Sequence, residues 1–491
     1  MEVIVKHSGS LPAIEGVTTE DLGDGFSILT LPPKRIADLY SYPEIEYIEL
    51  PKRLTPQLRQ GMDAACITPV LQRYGLTGQG VAIGIIDSGI DGRHADFQGR
   101  ILAVFDIESS TEYTENIPNV DQLGHGTAVA GIAAGVAPEA SLLVAKLGSG
   151  AQTTDIMRGL NYLSGKALAL RLPLVVNLSY GTNHGAHDGS SLFETYIDAV
   201  ARRWKTVIVA AAGNEGFTGH HYGGMIATGQ TLNIDFTIGG GLPSVYLTLW
   251  KHFSDDFTIE LIAPNGQSTG SLDPRTPVKS FSLSGTTAAV HYGQPSFYSG
   301  RQEVFVSFGA NAAGLWQLRL TGREIVDGEF HVWLPTLEEV GTDTAFLRPD
   351  PGLTITLPAT SQSVISVGGY NSRFNTAADF SGRGFTYAIV YPKPDLVAPA
   401  VDILSARSSG GYDSFTGTSM AAPFVTGAAA LMMEWGIVQG NDLFLYGQRV
   451  KAFLQRGAVR QSGVTYPNPV WGYGRLCLEQ TMLALNSQNL G

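Results

Sequence analysis

Hydrophobic and polar positions follow two rhythms along this chain of 491 residues. The first is unbroken. Val81-Ala82-Ile83-Gly84-Ile85-Ile86, Val175-Val176-Asn177-Leu178 and Val207-Ile208-Val209-Ala210-Ala211-Ala212 are apolar runs rich in β-branched residues. Such runs predict strands covered on both faces, as in a parallel sheet. They end in Asp87-Ser88-Gly89, Ser179-Tyr180-Gly181 and Gly213-Asn214-Glu215-Gly216, and a similar run, 143–147, opens into Gly148-Ser149-Gly150. In open α/β sheets, sites assemble at the carboxyl ends of the strands. The second rhythm alternates. Residues 231–238, 244–250, 257–262 and 314–320 are alternating or β-branched segments. They are separated by the turn signals Gly239-Gly240-Gly241, Pro264-Asn265-Gly266 and Asp327-Gly328. Short strands between such turns predict an antiparallel β-sandwich, jelly-roll-like, over 217–351. Before it, 2–6, 25–31 and 45–50 read as strands and 32–42 as a helix opened by prolines, a small α+β unit.

Chemistry concentrates at three places. In Phe415-Thr416-Gly417-Thr418-Ser419-Met420-Ala421-Ala422-Pro423 a serine opens an alanine-rich predicted helix. A helix N-terminus offers free N–H groups and partial positive charge, which suits a nucleophile whose attack creates an oxyanion. Alone, Ser419 would read as an N-cap. Asp87 ends the first apolar run, and alone would read as a turn acid. His125, in Asp121-Gln122-Leu123-Gly124-His125-Gly126-Thr127, opens a predicted helix of Ala, Gly and Val, and alone would read as a capping residue. Together they stand in the order Asp…His…Ser, one of the known chain orders for a serine triad.

On these motifs, with Ala212-Gly213-Asn214, the chain resembles the subtilisin-like (subtilase) serine peptidases. The resemblance implies an α/β fold, a parallel sheet flanked by helices. It implies Ser419 as nucleophile, His125 as general base, Asp87 as the group that orients the imidazole, and Asn214 as side-chain donor to the oxyanion. It carries Gly148, Ser179 and Gly181 over as substrate-binding residues, where an extended peptide adds as a strand. Tyr180 reads equally as a pocket wall or as core. Residues 1–55 are similar to a shortened propeptide, with self-cleavage expected within 50–62; the alternative is an N-terminal sheet extension that is never removed. The catalytic domain is then 56–216 and 352–491, with 217–351 inserted. Residues 62–74 resemble the first helix of the mature enzyme. The short propeptide, the insert and the tail Tyr466-Pro467-Asn468-Pro469-Val470-Trp471-Gly472-Tyr473-Gly474 resemble the clostridial spore-germination proteases. That subgroup implies either processing of a specific zymogen or a sensing protein whose proteolysis stops at self-cleavage. The partners expected are a protein or peptide substrate and the chain's own propeptide, which the subgroup often retains.

Composition narrows the classes further. Lys and Arg number 32 against 44 Asp and Glu, a net charge of −12, which argues against nucleic acid and anionic membrane as partners. No apolar run reads as long enough to span a bilayer, and the chain as given shows no secretion signal, so an intracellular or spore-associated bacterial location is expected. Cys66 and Cys477, far apart and without metal-like spacing, read as two free thiols. A triad requires no cofactor. Calcium is not readable: Asp106-Ile107-Glu108 and Ser254-Asp255-Asp256 lack an oxygen-ligand spacing and read as solvated acidic loops, so no metal ligand is assigned.

Overall fold

The computed structural model describes residues 1–50, 57–273, 278–295, 299–384 and 392–488. Met1–Pro56 and Gln57–Gly491 form two compact units. In the first, strands β1 (Glu2–His7), β2 (Thr18–Gly23), β3 (Phe26–Thr30) and β4 (Ile45–Glu49) make an antiparallel sheet in the order β2-β3-β1-β4. Alternation puts Val3, Val5 and Leu29 on one buried face, with Leu39 packed among them. Two readings change here. The segment 32–42 is a 3-10 helix, Pro33–Ser41, and β2 is a strand that the sequence reading missed. Every residue of β2 is exposed, so it has no apolar rhythm to read.

The second unit opens with α1 (Gln57–Ala64) and α2 (Thr68–Tyr74), two helices where one was expected. Then follow β5 (Ala82–Asp87), β6 (Ile101–Asp106), β7 (Thr111–Tyr113), α3 (His125–Val136), β8 (Ser141–Lys146), α4 (Thr153–Leu170), β9 (Leu174–Leu178), α5 (Leu192–Ala201) and β10 (Thr206–Ala211). The insert supplies β11 (His221–Met225), β12 (Thr231–Ile238), β13 (Val245–His252), β14 (Asp256–Ile262), β15 (Val278–Leu283), β16 (Thr286–Tyr292), β17 (Arg301–Phe308), β18 (Gly314–Glu324), β19 (Glu329–Trp333), α6 (Leu337–Val340) and β20 (Ala345–Phe346). The chain returns through β21 (Ile365–Asn371), β22 (Thr376–Ala377), β23 (Leu396–Pro399), β24 (Ile403–Ala406), β25 (Tyr412–Phe415), α7 (Thr418–Met433), α8 (Gln448–Gly457) and α9 (Leu478–Gln488).

The central sheet has the order β22-β21-β10-β9-β5-β8-β6-β7, with β23 beside β21. Its inner pairs are parallel: β5 with β8 and β9, and β10 with β9 and β21. Every residue of β5, β9 and β10 is buried, as unbroken apolar runs require. Helices α3 and α7 cover one face and contact each other. Their small residues make that approach feasible: a Cβ on Gly427 would come within 2.5 Å of Val136.

The insert folds as two antiparallel sheets, ordered β11-β19-β13-β17-β16-β15 and β14-β18-β12-β20. Their inward residues form one hydrophobic cluster, separate from the two that flank the parallel sheet. A β-sandwich is therefore present; its strand order does not by itself mark a jelly roll.

Three further expectations are corrected. Cys66 and Cys477 are disulfide-bonded, with Cα atoms 4.8 Å apart across 411 residues of sequence. The bond ties the turn after α1 to the start of α9, where Leu478 N also donates to Ala65 O. Asp255 is not in a solvated loop. It is buried, and its carboxylate accepts from Val326 N, Asp327 N and Gly328 N at 2.7–2.9 Å, pinning the β18–β19 turn. Burial works against its charged form, yet those three N–H groups and Lys251 hold its pKa below the usual range. Lastly, α7 runs on through one π turn to Val438, a helix of 21 residues with an 18-residue stretch of mean hydropathy 1.4, long and apolar enough to cross a bilayer. Here 94% of that stretch is buried inside the protein, and its apolarity serves the core.

Candidate active site

Four strand and helix ends converge at the carboxyl edge of the central sheet. β5 delivers Asp87, fully buried at its last position. The helix α3 begins at His125, preceded by Gly124 at φ 83°, a left-handed turn that favours glycine. Beyond β10 the chain turns into Asn214. The helix α7 begins at Thr418, so Ser419 lies in its first turn, after Gly417 at φ 148°. The helix N-terminus expected at Ser419 is present.

His125 Nδ1 donates to Asp87 Oδ1 at 2.7 Å. The same oxygen accepts from Ser88 N at 2.8 Å. This fixes the imidazole tautomer and leaves Nε2 for proton transfer. Burial opposes charging of the ring, but the Asp87 carboxylate and its hydrogen bond, with Asp121 and Glu338, outweigh it and raise the His125 pKa above its ordinary value. The ring meets Tyr180 edge-on at 6.0 Å between centroids. Tyr180 is thus a half-buried wall of the site, its hydroxyl pKa raised by burial and by Asp87 and Asp121.

Ser419 Oγ donates to Ser179 O at 3.4 Å, and Ser179 Oγ donates to Ser419 O at the same distance. The hydroxyl is thus engaged by one long bond, to Ser179 O; hydrogen bonds of catalytic groups commonly tighten only with substrate bound. Asn214 Oδ1 accepts from both Thr418 N and Thr418 Oγ1 at 3.0 Å. With its carbonyl occupied, the Asn214 amide group is free to donate. Its Nδ2 stands 3.5 Å from where a Cβ on Gly417 would be, beside Ser419.

Of the expected substrate residues, the structure brings Ser179 against the nucleophile. Gly181 backs onto Thr356 so tightly that a Cβ would collide with Thr356 Oγ1, and a Cβ on Gly213 would stand 2.5 Å from the same atom. Thr356 therefore closes the space between the ends of β9 and β10. Gly148 lies farther out, where a Cβ would meet the Glu108 carboxylate at 2.9 Å.

Sequence reading passed over four residues that hold the site. Asp121, buried, accepts from Ser88 Oγ and Gly124 N through one oxygen and from Thr127 N and Oγ1 through the other, all at 2.6–2.8 Å. An acid four residues ahead of His125 was a legible capping signal. Asn177 donates to Ser179 Oγ at 2.8 Å and accepts from Thr426 at 3.0 Å, tying β9 to α7. A lone polar residue in an apolar run could have flagged it. Thr418 orients Asn214. Glu215, also buried, accepts from His220 Nδ1 at 2.7 Å, Thr218 Oγ1 at 2.8 Å and Leu337 N at 3.0 Å. It fastens the Asn214 loop to both roots of the sandwich, a long-range tie with no local signal.

Comparison with known proteins agrees with this geometry. Residues 78–291 and 341–474 match the Subtilase family, and residues 1–52 match the Csp protease B prodomain. The CspB protease of Clostridium perfringens is similar in structure, with a TM-score of 0.83 and 37% identity over 87% of this chain and 98% of that one. Subtilisin E of Bacillus subtilis is 32% identical over 206 residues, 39% of this chain and 49% of that protein. The PI-type proteinase of Lactococcus lactis subsp. cremoris is 24% identical over 92% of this chain, which spans only 28% of that protein's length.

Proposed function

The chain belongs to the subtilase family, in its clostridial Csp subgroup, and from that premise we propose that it is a serine endopeptidase that cuts its own N-terminal segment. The observation that carries the reading is the 2.7 Å bond from His125 to a buried Asp87, set beside a serine in the first turn of α7. Ser419 Oγ attacks the scissile carbonyl as His125 Nε2 takes its proton. Asn214 Nδ2 and the Ser419 N–H hold the oxyanion. Protonated His125 then gives its proton to the leaving amine, and water repeats the cycle on the acyl-enzyme. Asp87 stays ionised and stabilises the imidazolium.

Support for self-processing comes from the prodomain match over 1–52. The expected cut lies within 50–62, of which residues 51–56 fall outside the described residues. The test is intact-mass measurement with fluorophosphonate labelling of wild type and Ser419→Ala. Wild type is expected to lose its N-terminal segment and take up one label, while the variant stays full length and unlabelled. Identical N-termini in both would remove the self-processing step; a processed, folded wild type that takes up no label would favour a sensing protein whose proteolysis stops at self-cleavage.

The narrower reading is a germination protein acting on one protein partner, with proteolysis otherwise limited to self-cleavage. The prodomain match favours it over a general digestive role. The disulfide favours an oxidising compartment over the cytosol for the folded protein. Turnover of an unstructured protein such as casein by the processed enzyme separates the two readings: rapid digestion speaks for the general one.

A further inference from the structure

We propose that the hollow beside Gly124 is a subsite for an acidic side chain on the leaving-group side of a peptide substrate, read by Arg93 and Arg407. The inference rests on the peptidase reading above and adds a substrate class to it.

The hollow has a volume of about 540 Å³ and lies between the loops 119–124 and 407–415. It is preformed. Asn119 Nδ2 donates to Ser408 Oγ at 2.8 Å, Ser408 Oγ donates to Asp121 O at 2.7 Å, and Ser409 N donates to Asp91 Oδ2 at 2.8 Å. Loops strapped in this way lose little freedom when a ligand enters, so more of each contact remains as affinity.

Its place relative to the chemistry follows from proton transfer. His125 must hand its proton to the leaving nitrogen, so the leaving segment has to pass the imidazole. One wall of the hollow is Gly124, adjacent to His125, and another is Phe415, four residues before Ser419. The substrate-binding candidates Gly148, Ser179 and Gly181 do not line it. A peptide held at Ser179 and Gly181 and cleaved at Ser419 therefore carries its leaving half toward this hollow.

Charge decides what it would take. The Arg93 side chain is 72% exposed, and its Nε is 3.7 Å from Asp91 Oδ1, beyond hydrogen-bond reach. Arg407 Nε donates to Gly410 O at 3.2 Å. Among the described residues, no hydrogen bond engages the terminal guanidinium nitrogens of either. The nearby carboxylates Asp91 and Asp121 are buried and already accept from backbone and hydroxyl donors. Asp413 is exposed, with Oδ1 accepting from Ser414 N. The hollow is thus lined by two guanidinium forks, Arg93 also ion-paired with buried Asp91, beside the exposed Asp413 and the buried, already bonded Asp121, and a fork binds a carboxylate in bidentate fashion.

The test uses two internally quenched peptides identical on the acyl side, with Glu or Lys at the second to fourth positions after the scissile bond. The readout is the ratio of their kcat/KM values, taken within each protein so that a partly unfolded sample lowers both rates together. Wild type is expected to favour Glu by about tenfold, the size of one charge-assisted contact. Arg93→Gln/Arg407→Gln should bring the ratio near one, and Arg93→Lys/Arg407→Lys should keep its direction. Arg93→Glu/Arg407→Glu should invert it, which a merely structural role would not do. An equal ratio in all four proteins overturns the subsite. Wild type that cleaves neither peptide also overturns it, and if that protein fails to take up fluorophosphonate the peptidase reading falls as well.

Discussion

Strands β5 and β17 are both core strands, yet their residues are arranged oppositely. β5, in the parallel sheet, is Ala-Ile-Gly-Ile-Ile-Asp and buried at every position. β17, in the sandwich, is Arg-Gln-Glu-Val-Phe-Val-Ser-Phe, and buried positions alternate with partly exposed ones. A strand covered on both faces has no free side on which to carry chemistry, so β5 can present a functional group only at its end, and there it presents Asp87. A strand with one wet face can hold a hydrophobic core and a polar surface along its whole length. The sandwich accordingly builds its own core and meets the loops around the site through ties such as Glu215 to Leu337 N and Asn183 to Leu334 O, and through the charge of Glu338.

That separation can be broken from either side. The largest effect is expected from Trp316→Ala. Trp316 is fully buried in the sandwich, against Phe308 at 4.9 Å, and its indole donates to Ala312 O at 2.7 Å. Its loss should cost about 3–5 kcal/mol, measured by denaturant unfolding, while Ser419 in the still-folded protein keeps taking up fluorophosphonate. Lost labelling below the unfolding transition would show that the two cores act as one.

Next is Asn214→Ala, on the catalytic side. Removing an oxyanion donor should lower kcat by roughly 10²–10³, with little change in KM and in the unfolding midpoint. A change confined to KM would place Asn214 in ground-state binding instead.

Glu215→Ala tests the tie between the regions. Leaving His220 Nδ1 and the Leu337 N–H unpaired should cost about 2–3 kcal/mol, and kcat should fall as the neighbouring Asn214 loses its setting. Lower stability with unaltered kcat would make the tie purely structural.

The smallest effect concerns pH. His125 acts as a base when neutral, and its pKa is raised, so activity should fall as pH drops through that raised value, above the ordinary histidine range near 6.5. Asp121 is one of the charges that raise it. Asp121→Asn should therefore move the acid limb of kcat/KM to lower pH, by less than about one unit. A limb that stays in place would leave the shift to Asp87 and Glu338.

How much of this was legible depends on range. Asp87, His125, Asn214 and Ser419 could be read because each stands at the end of a locally encoded element, where a rhythm stops or a run of small residues begins. The alternating strands of the sandwich were readable for the same reason. β2 was not, because an all-exposed strand has no rhythm, and neither was the core role of the helix 418–438, because apolarity does not say what will cover it.

The sequence by itself therefore determined the elements, the sites at their ends and the order Asp…His…Ser, since all of these follow from residue types within a few positions of one another. Only the tertiary structure decided the pairing of Cys66 with Cys477, the burial of Asp255 and the anchoring of the Asn214 loop by Glu215 to Leu337. Each of these needs groups that meet only after the chain has closed on itself. A buried carboxylate or thiol finds its partner by where the backbone brings a donor, and no local pattern records that.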